Sequence, residues 1–210
     1  MTKLPWTPWH KVVALREDLR TGELALNEFA ADLYDVVLQR GKRRIYEDPA
    51  EFFALTFPTL ALRELARDVV QRLAAKNQKA VRQLELTYGG GKTHALITLF
   101  HLVNDPQGLP DLASVREFRA HIGIDPPATR VAMLPFDKLD VEKGVEVRNP
   151  AGKIRMLRQP WSVLAWQLAG ADGLRKLHKD DKDEERSSPP AENLLADVLN
   201  MPVEHGKSTL

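Results

Sequence analysis

The sequence predicts an α/β fold, and three observations carry that prediction. Apolar residues recur at helical spacing through most of residues 1–79. Residues 80–86 then alternate apolar and polar, the period of a half-buried strand. A glycine-rich turn follows directly, and behind it an apolar segment suited to a buried helix.

Each element has a local reason. Val12, Val13, Leu15 and Leu19 form one short apolar face, with Gly22 placed to end that helix. Asn27 reads as the N-cap of a second helix that buries Phe29, Ala30, Leu33, Tyr34, Val36 and Val37 and ends at Gly41. A basic turn follows, Arg40 to Arg44. Asp48, with Pro49 at the first helical position, opens a short helix through Phe52 and Phe53, because proline's missing N–H costs nothing there. Thr59 caps a longer helix, about Leu60 to Ala75, striped by Leu62, Leu65, Ala66, Val69, Val70 and Leu73. Ala80 to Leu86 is the strand, Thr87 to Gly91 the turn, and Thr93 to Val103 the buried helix.

Beyond it, a short helix is expected around Val115 to Ile122 and a second strand over Thr129 to Leu134. Gly144, Asn149, Pro150 and Gly152 predict a hairpin or long loop over 141–158. A helix from about Trp161 to Leu168 stops before Gly170. The mixed-charge run Lys176 to Arg186 reads as a solvated surface segment. Ser188-Pro189 caps a last helix, Ala191 to Leu199, and the tail from Met201 has no clear pattern. The organisation expected is an N-terminal helical region, 1–79, a partial nucleotide-binding domain, 80–200, and a tail, 201–210.

Bulk properties narrow the function classes. The chain has 210 residues, 43% hydrophobic and 28% charged, as an ordinary globular domain does. The net charge of +1 provides no global field for nucleic acid. The absence of cysteine removes disulfides, thiolate metal sites and a cysteine nucleophile. The N-terminus lacks the apolar run of a signal peptide, and no stretch reaches the roughly 18 apolar residues of a membrane span, so the expected location is cytoplasmic, with no membrane partner.

The turn Tyr88-Gly89-Gly90-Gly91-Lys92-Thr93 has the composition of a phosphate-binding loop. A triphosphate held without a cage of cations needs backbone N–H groups aimed inward, in conformations closed to most residues. Three glycines supply that freedom. Lys92 would set its ammonium at the β- and γ-phosphates, and Thr93 would give its hydroxyl to Mg²⁺. The helix behind adds its N-terminal partial charge. The full pattern begins with a glycine where this chain has Leu86. Gly-Gly-Gly-Lys-Ser/Thr alone would still arise by chance in about one in a thousand chains this long, so it is specific. His94 reads as a helix residue packed near the loop rather than a catalytic group.

Hydrolysis needs a further acid, on a strand, to hold Mg²⁺ and orient water. The one apolar run ending in an acid after the loop is Val131 to Asp137, and Pro135 interrupts it. Asp137 therefore reads as the end of a neighbouring strand. Gly206-Lys207-Ser208 lacks a preceding strand and is discounted. Two or three strands are visible where such a sheet has about five. The rest is expected in a longer protein or from partner chains, unless the form is naturally short.

Several segments resemble the N-terminal part of a family of large AAA+-superfamily ATPases, the domain-of-unknown-function-499 family. They are Pro8 to Asp18, Gly22-Glu23-Leu24, Phe29 to Val36, Asp48-Pro49 with Phe52 to Thr56, Leu62 to Ala66, Gln83 to His94, His101 to Asn104, and Trp161 with Trp166 to Leu168. The resemblance runs from about residue 8 to 199 and is strongest around the loop. It implies an incomplete P-loop NTPase core, ASCE/AAA+-like, with ATP bound at Tyr88, Gly89, Gly90, Gly91, Lys92, Thr93 and His94 and Mg²⁺ at Thr93. It also accounts for Leu86, because the family's loop lacks the first glycine. By the same resemblance, partners would be other phage-defence proteins such as a DNA methyltransferase.

Three functions follow as expectations: an ATP-binding and hydrolysing domain, a non-catalytic nucleotide-dependent interaction module, and a DNA-contacting defence component. The last would use Arg72, Lys76, Lys79 and Arg82, which more simply read as a solvated helix end.

Overall fold

Three of the described helices start where a short polar side chain, Asp32, Asp48 or Thr59, precedes an apolar stripe. The computed structural model describes residues 6–15, 20–21, 31–41, 44–85, 87, 89–127 and 129–200, and the backbone of 208–209. The chain divides into two compact units, 1–31 and 32–210.

In the first unit, Trp9–Lys11 forms a 3-10 turn. The expected apolar helix face is not there: Val12, Val13 and Leu15 are exposed and non-helical. So short a face gains nothing by coiling unless it is covered, and no described residue of this unit is buried. Leu19, Gly22, Asn27, Phe29 and Ala30 lie outside the described residues.

In the second unit α1, Leu33–Leu38, starts at Asp32, whose carboxylate accepts the Tyr34 N–H at 2.9 Å. It ends on Gln39 in a left-handed conformation, before Gly41. The basic turn contains a four-residue helix, α2, Arg44–Glu47. Helix α3, Pro49–Leu55, has the expected Asp48 cap and proline start. Helix α4, Leu60–Leu73, has the Thr59 hydroxyl on the Leu62 N–H. Helix α5, Lys92–Asn104, and α6, Ala113–Ile122, also follow expectation. Helix α4 packs on both α5 and α6. Phe52, Phe53 and Phe118 are fully buried, with the Phe53 and Phe118 rings 5.9 Å apart edge to face.

The strands depart most from expectation. Residues 80–85 join no ladder, and Val81 is 82% exposed. Alternation marks a segment able to be a strand, but its backbone needs a neighbour to bond. The described strands pair elsewhere. Strand β1, Thr129–Arg130, is two residues long instead of six. Beyond it, the Gln167 side-chain amide takes both backbone groups of Met133: Met133 N–H donates to Oε1 at 2.9 Å and Nε2 donates to Met133 O at 2.7 Å. A side chain thus stands where a strand would have paired.

Strands β2, Val145–Arg148, and β3, Ile154–Leu157, form the expected hairpin, Val145 opposite Leu157. The turn closes through Asn149 and Gly152. Helix α7, Pro160–Leu177, is longer than expected. Gly170, at φ 61 and ψ −141, kinks it rather than ending it, because Leu174 and Leu177 beyond it are buried in the core. Helix α8 is Glu192–Leu199, and β4, Ser208–Thr209, pairs parallel with β1. The α8 N-cap is Ala191, with no side-chain bond, rather than Ser188. One core joins Tyr34 and Leu38 of α1, the hairpin, α7 and Val198 of α8.

The charge run is not simply solvated. The Glu184 side chain is 6% exposed and accepts the N–H groups of Arg158 and Gln159 at 2.8 and 2.9 Å, fixing the two residues that lead into α7. Arg130 is buried and donates to Leu168 O at 3.0 Å, beside the α7 kink, and to Leu199 O at 2.6 Å, a cation at the C-terminal end of α8.

Candidate functional site

The glycine loop is built on two left-handed residues, Gly89 at φ 78 and Gly91 at φ 79. A Cβ on either would meet nothing within 4 Å, so glycine is required here by conformation and not by crowding. The Thr87 carbonyl closes the loop. It accepts the Gly90 N–H at 3.0 Å and the Lys92 ammonium at 3.0 Å. Helix α5 then begins with Gly91 as N-cap, and no side chain caps it. The three glycines are exposed; Lys92 and Thr93 are half-buried. Tyr88 and Leu86 lie outside the described residues.

This arrangement can bind an anion. First-turn amides and the helix dipole face outward with an ammonium beside them, and the space over Gly89 and Gly91 is open to phosphate oxygens. The Thr93 hydroxyl makes no hydrogen bond to a protein group among the described residues, which suits a metal ligand. The residues therefore fit a triphosphate with Mg²⁺.

His94 is tied to the helical region. Its Nε2 lies 3.2 Å from the Thr56 hydroxyl, and its ring stacks at 4.8 Å on Phe52. Thr56 spends its one proton on Phe52 O at 2.8 Å, so the Nε2–H of His94 is the donor. Burial holds the imidazole below its ordinary value, so it is neutral near pH 7. The ring is thus packed between the α3 end and the start of α5. Sequence reasoning missed Thr56, which lies 38 positions away.

Asp137 is exposed in the turn 136–138 and belongs to none of the described strands. Among the described residues, no three His, Cys, Asp or Glu side chains cluster as metal ligands. In the expected basic face, Asp68 pairs with Arg82 at 2.5 Å and with Lys79 at 3.8 Å, and Arg72 donates to Asn77 O. Among the described residues no helix is long and apolar enough to cross a membrane.

The family model of the DUF499 N-terminal domain matches residues 10–200. No curated protein and no solved structure matches the chain significantly.

Proposed function

The chain belongs to the DUF499 family, and we propose that it binds a nucleoside triphosphate, with Mg²⁺, through residues 88–94. One observation carries the reading: two left-handed glycines lead into an uncapped helix whose first residue is a lysine folded back over the loop. Lys92 leaves the Thr87 carbonyl for the β- and γ-phosphates, exchanging a neutral acceptor for a charged one. The amides of the glycine loop and the first turn of α5 hold the remaining oxygens. Thr93 holds the metal, which when bound offsets phosphate charge. His94 keeps the helix start in place.

The proposal stops at binding. Asp137, the one acid the sequence offered for the metal, is exposed in a turn, which favours a nucleotide-dependent switch over hydrolysis by this chain. The AAA+ assignment and defence partners such as a DNA methyltransferase rest on the family resemblance, and a cytoplasmic location on the absence of a signal-like or membrane-spanning apolar run in the sequence. DNA contact through Arg72, Lys76, Lys79 and Arg82 is the second reading, and Asp68 pairs with two of those four cations.

Thermal unfolding tests the reading. A ligand at one hundred times its Kd adds about 2.7 kcal/mol of stability. In a chain this long that raises Tm by roughly 5–10 °C. MgATP is expected to produce that shift and AMP none. Equal Tm with and without saturating MgATP would refute it.

A further inference from the structure

We infer that residues 179–187 are a strap clasped to α7 by the neutral ring of His178, and that the strap lifts when this ring takes up a second proton. The device is separate from the phosphate loop and does not depend on what that loop binds.

The kink at Gly170 folds α7 back, so Ser162 near its start meets His178 just past its end. A straight helix would part residues sixteen apart by about 24 Å; here Ser162 Oγ lies 2.8 Å from His178 Nε2. Both residues are buried, at 0% and 7% exposure. The other ring nitrogen, Nδ1, accepts the Arg186 backbone N–H at 3.3 Å. A nitrogen that accepts carries no proton, so the neutral ring holds its proton on Nε2 and donates it to Ser162. Ser162 turns its own proton to Gln159 Oε1, 3.5 Å away. One side of the ring therefore grips α7 and the other grips the strap.

Neighbouring bonds gather at the same place. Gln159 Nε2 donates to the carbonyls of Glu184 and Arg186, and Arg186 Nε donates to Leu177 O at 3.1 Å. Arg155 of β3 donates to Lys182 O.

An imidazolium donates at both nitrogens. The second proton must enter at Nδ1, where it faces the Arg186 N–H, and two donors cannot share one line. Ser162 keeps its bond with the ring and Arg186 loses its own, so the loss falls on the strap alone. The charge also lacks a spare counterion. Burial is the largest influence on the ring and holds it below its ordinary value; Glu184 and Glu185 pull the other way, and Arg186 and Arg155 add to the burial effect. Glu184 already answers Arg158 at 3.6 Å, and Glu185 answers Lys179 at 3.8 Å. Lifting the strap gives the cation to water, so acid favours the open form. Opening also removes one wall, Lys182 to Glu184, of a cavity of about 210 Å³ whose other wall includes Arg155 and Arg158.

Nitrogen-15 NMR of the full chain tests this. Ring shifts report the tautomer and protonation of His178, and amide exchange, corrected for its intrinsic pH dependence, reports the Arg186 N–H. At pH 7.5 the Nε2–H tautomer and a protected Arg186 amide are expected. Below about pH 6.5, opening of the strap should rise by up to about tenfold per pH unit, while the amides of α4 and α6 stay protected. His178→Gln keeps an acceptor and a donor without a titrating proton, so its Arg186 protection should not change over that range. An Nδ1–H tautomer at pH 7.5 would overturn the inference in the wild type alone, whatever the variant does. So would Arg186 protection that is constant from pH 7.5 to 5, or that is lost only together with α4 and α6. The same loss in His178→Gln as in wild type would overturn it as well.

Discussion

Replacing Gly91 by alanine tests the loop's geometry through the sign of the stability change. Gly91 is the N-cap of α5, at φ 79 and ψ 19. The caps of α3 and α4 are ordinary by contrast, Asp48 at φ −90 and ψ 118 and Thr59 at φ −58 and ψ 156. A Cβ on Gly91 touches nothing within 4 Å, so neither clash nor packing enters the sum. What remains is the left-handed conformation, which costs an L-residue about 1–2 kcal/mol. For a chain of 210 residues that lowers Tm by roughly 2–8 °C. Asparagine, which tolerates this region, should fall between glycine and alanine. Urea unfolding of the three forms, followed by circular dichroism, gives the ranking. If Gly91 instead held a negative φ, alanine would stabilise by about 0.4–1 kcal/mol, because it restricts the unfolded chain. A rise in stability for Gly91→Ala would therefore refute the loop conformation.

Two further outcomes follow from buried groups. Glu184→Ala removes the acceptor of the two amides that lead into α7 and should cost about 2–3 kcal/mol in urea unfolding, while Glu185→Ala, with its side chain 41% exposed, should change little. Similar small losses for both would return the charge run to a solvated surface. Burial holds His94, His101 and His178 below the ordinary imidazole value. The unfolded chain then binds more protons as pH falls through about 6.5, so stability is complete above that pH and declines below it towards the depressed native values. A lower urea midpoint at pH 5.5 than at 7.5 is expected, with a smaller difference in His101→Gln; a midpoint independent of pH would contradict it.

Helices were legible wherever their causes are local. Asp48-Pro49 and Thr59 write their caps within three residues, and the stripe from Leu62 to Leu73 needs only one side buried. The hairpin was legible for the same reason, since its turn at Asn149 to Gly152 is self-contained. Elements that depend on distant partners were not. Residues 80–85 alternate correctly and still form no ladder, because pairing belongs to two segments. Glu184 looks like any acid in a charge run until Arg158 and Gln159, 25 and more positions earlier, place two amides on it. Gly170 has the look of a helix end, yet Leu174 and Leu177 draw the chain back into helix by burial. At the site, the glycines and Lys92 were readable from composition, whereas the tie from His94 to Thr56 depends on how α3 lies against α5.

The central claim is that residues 88–94 hold a triphosphate, and MgATP affinity measured by calorimetry on wild type and Lys92→Ala tests it most directly. The account predicts saturable wild-type binding that depends on Mg²⁺ and a loss of about tenfold or more in Lys92→Ala, since a charge-assisted contact is worth about 1.5–3 kcal/mol. The same affinity for both proteins, or none for wild type, would contradict it.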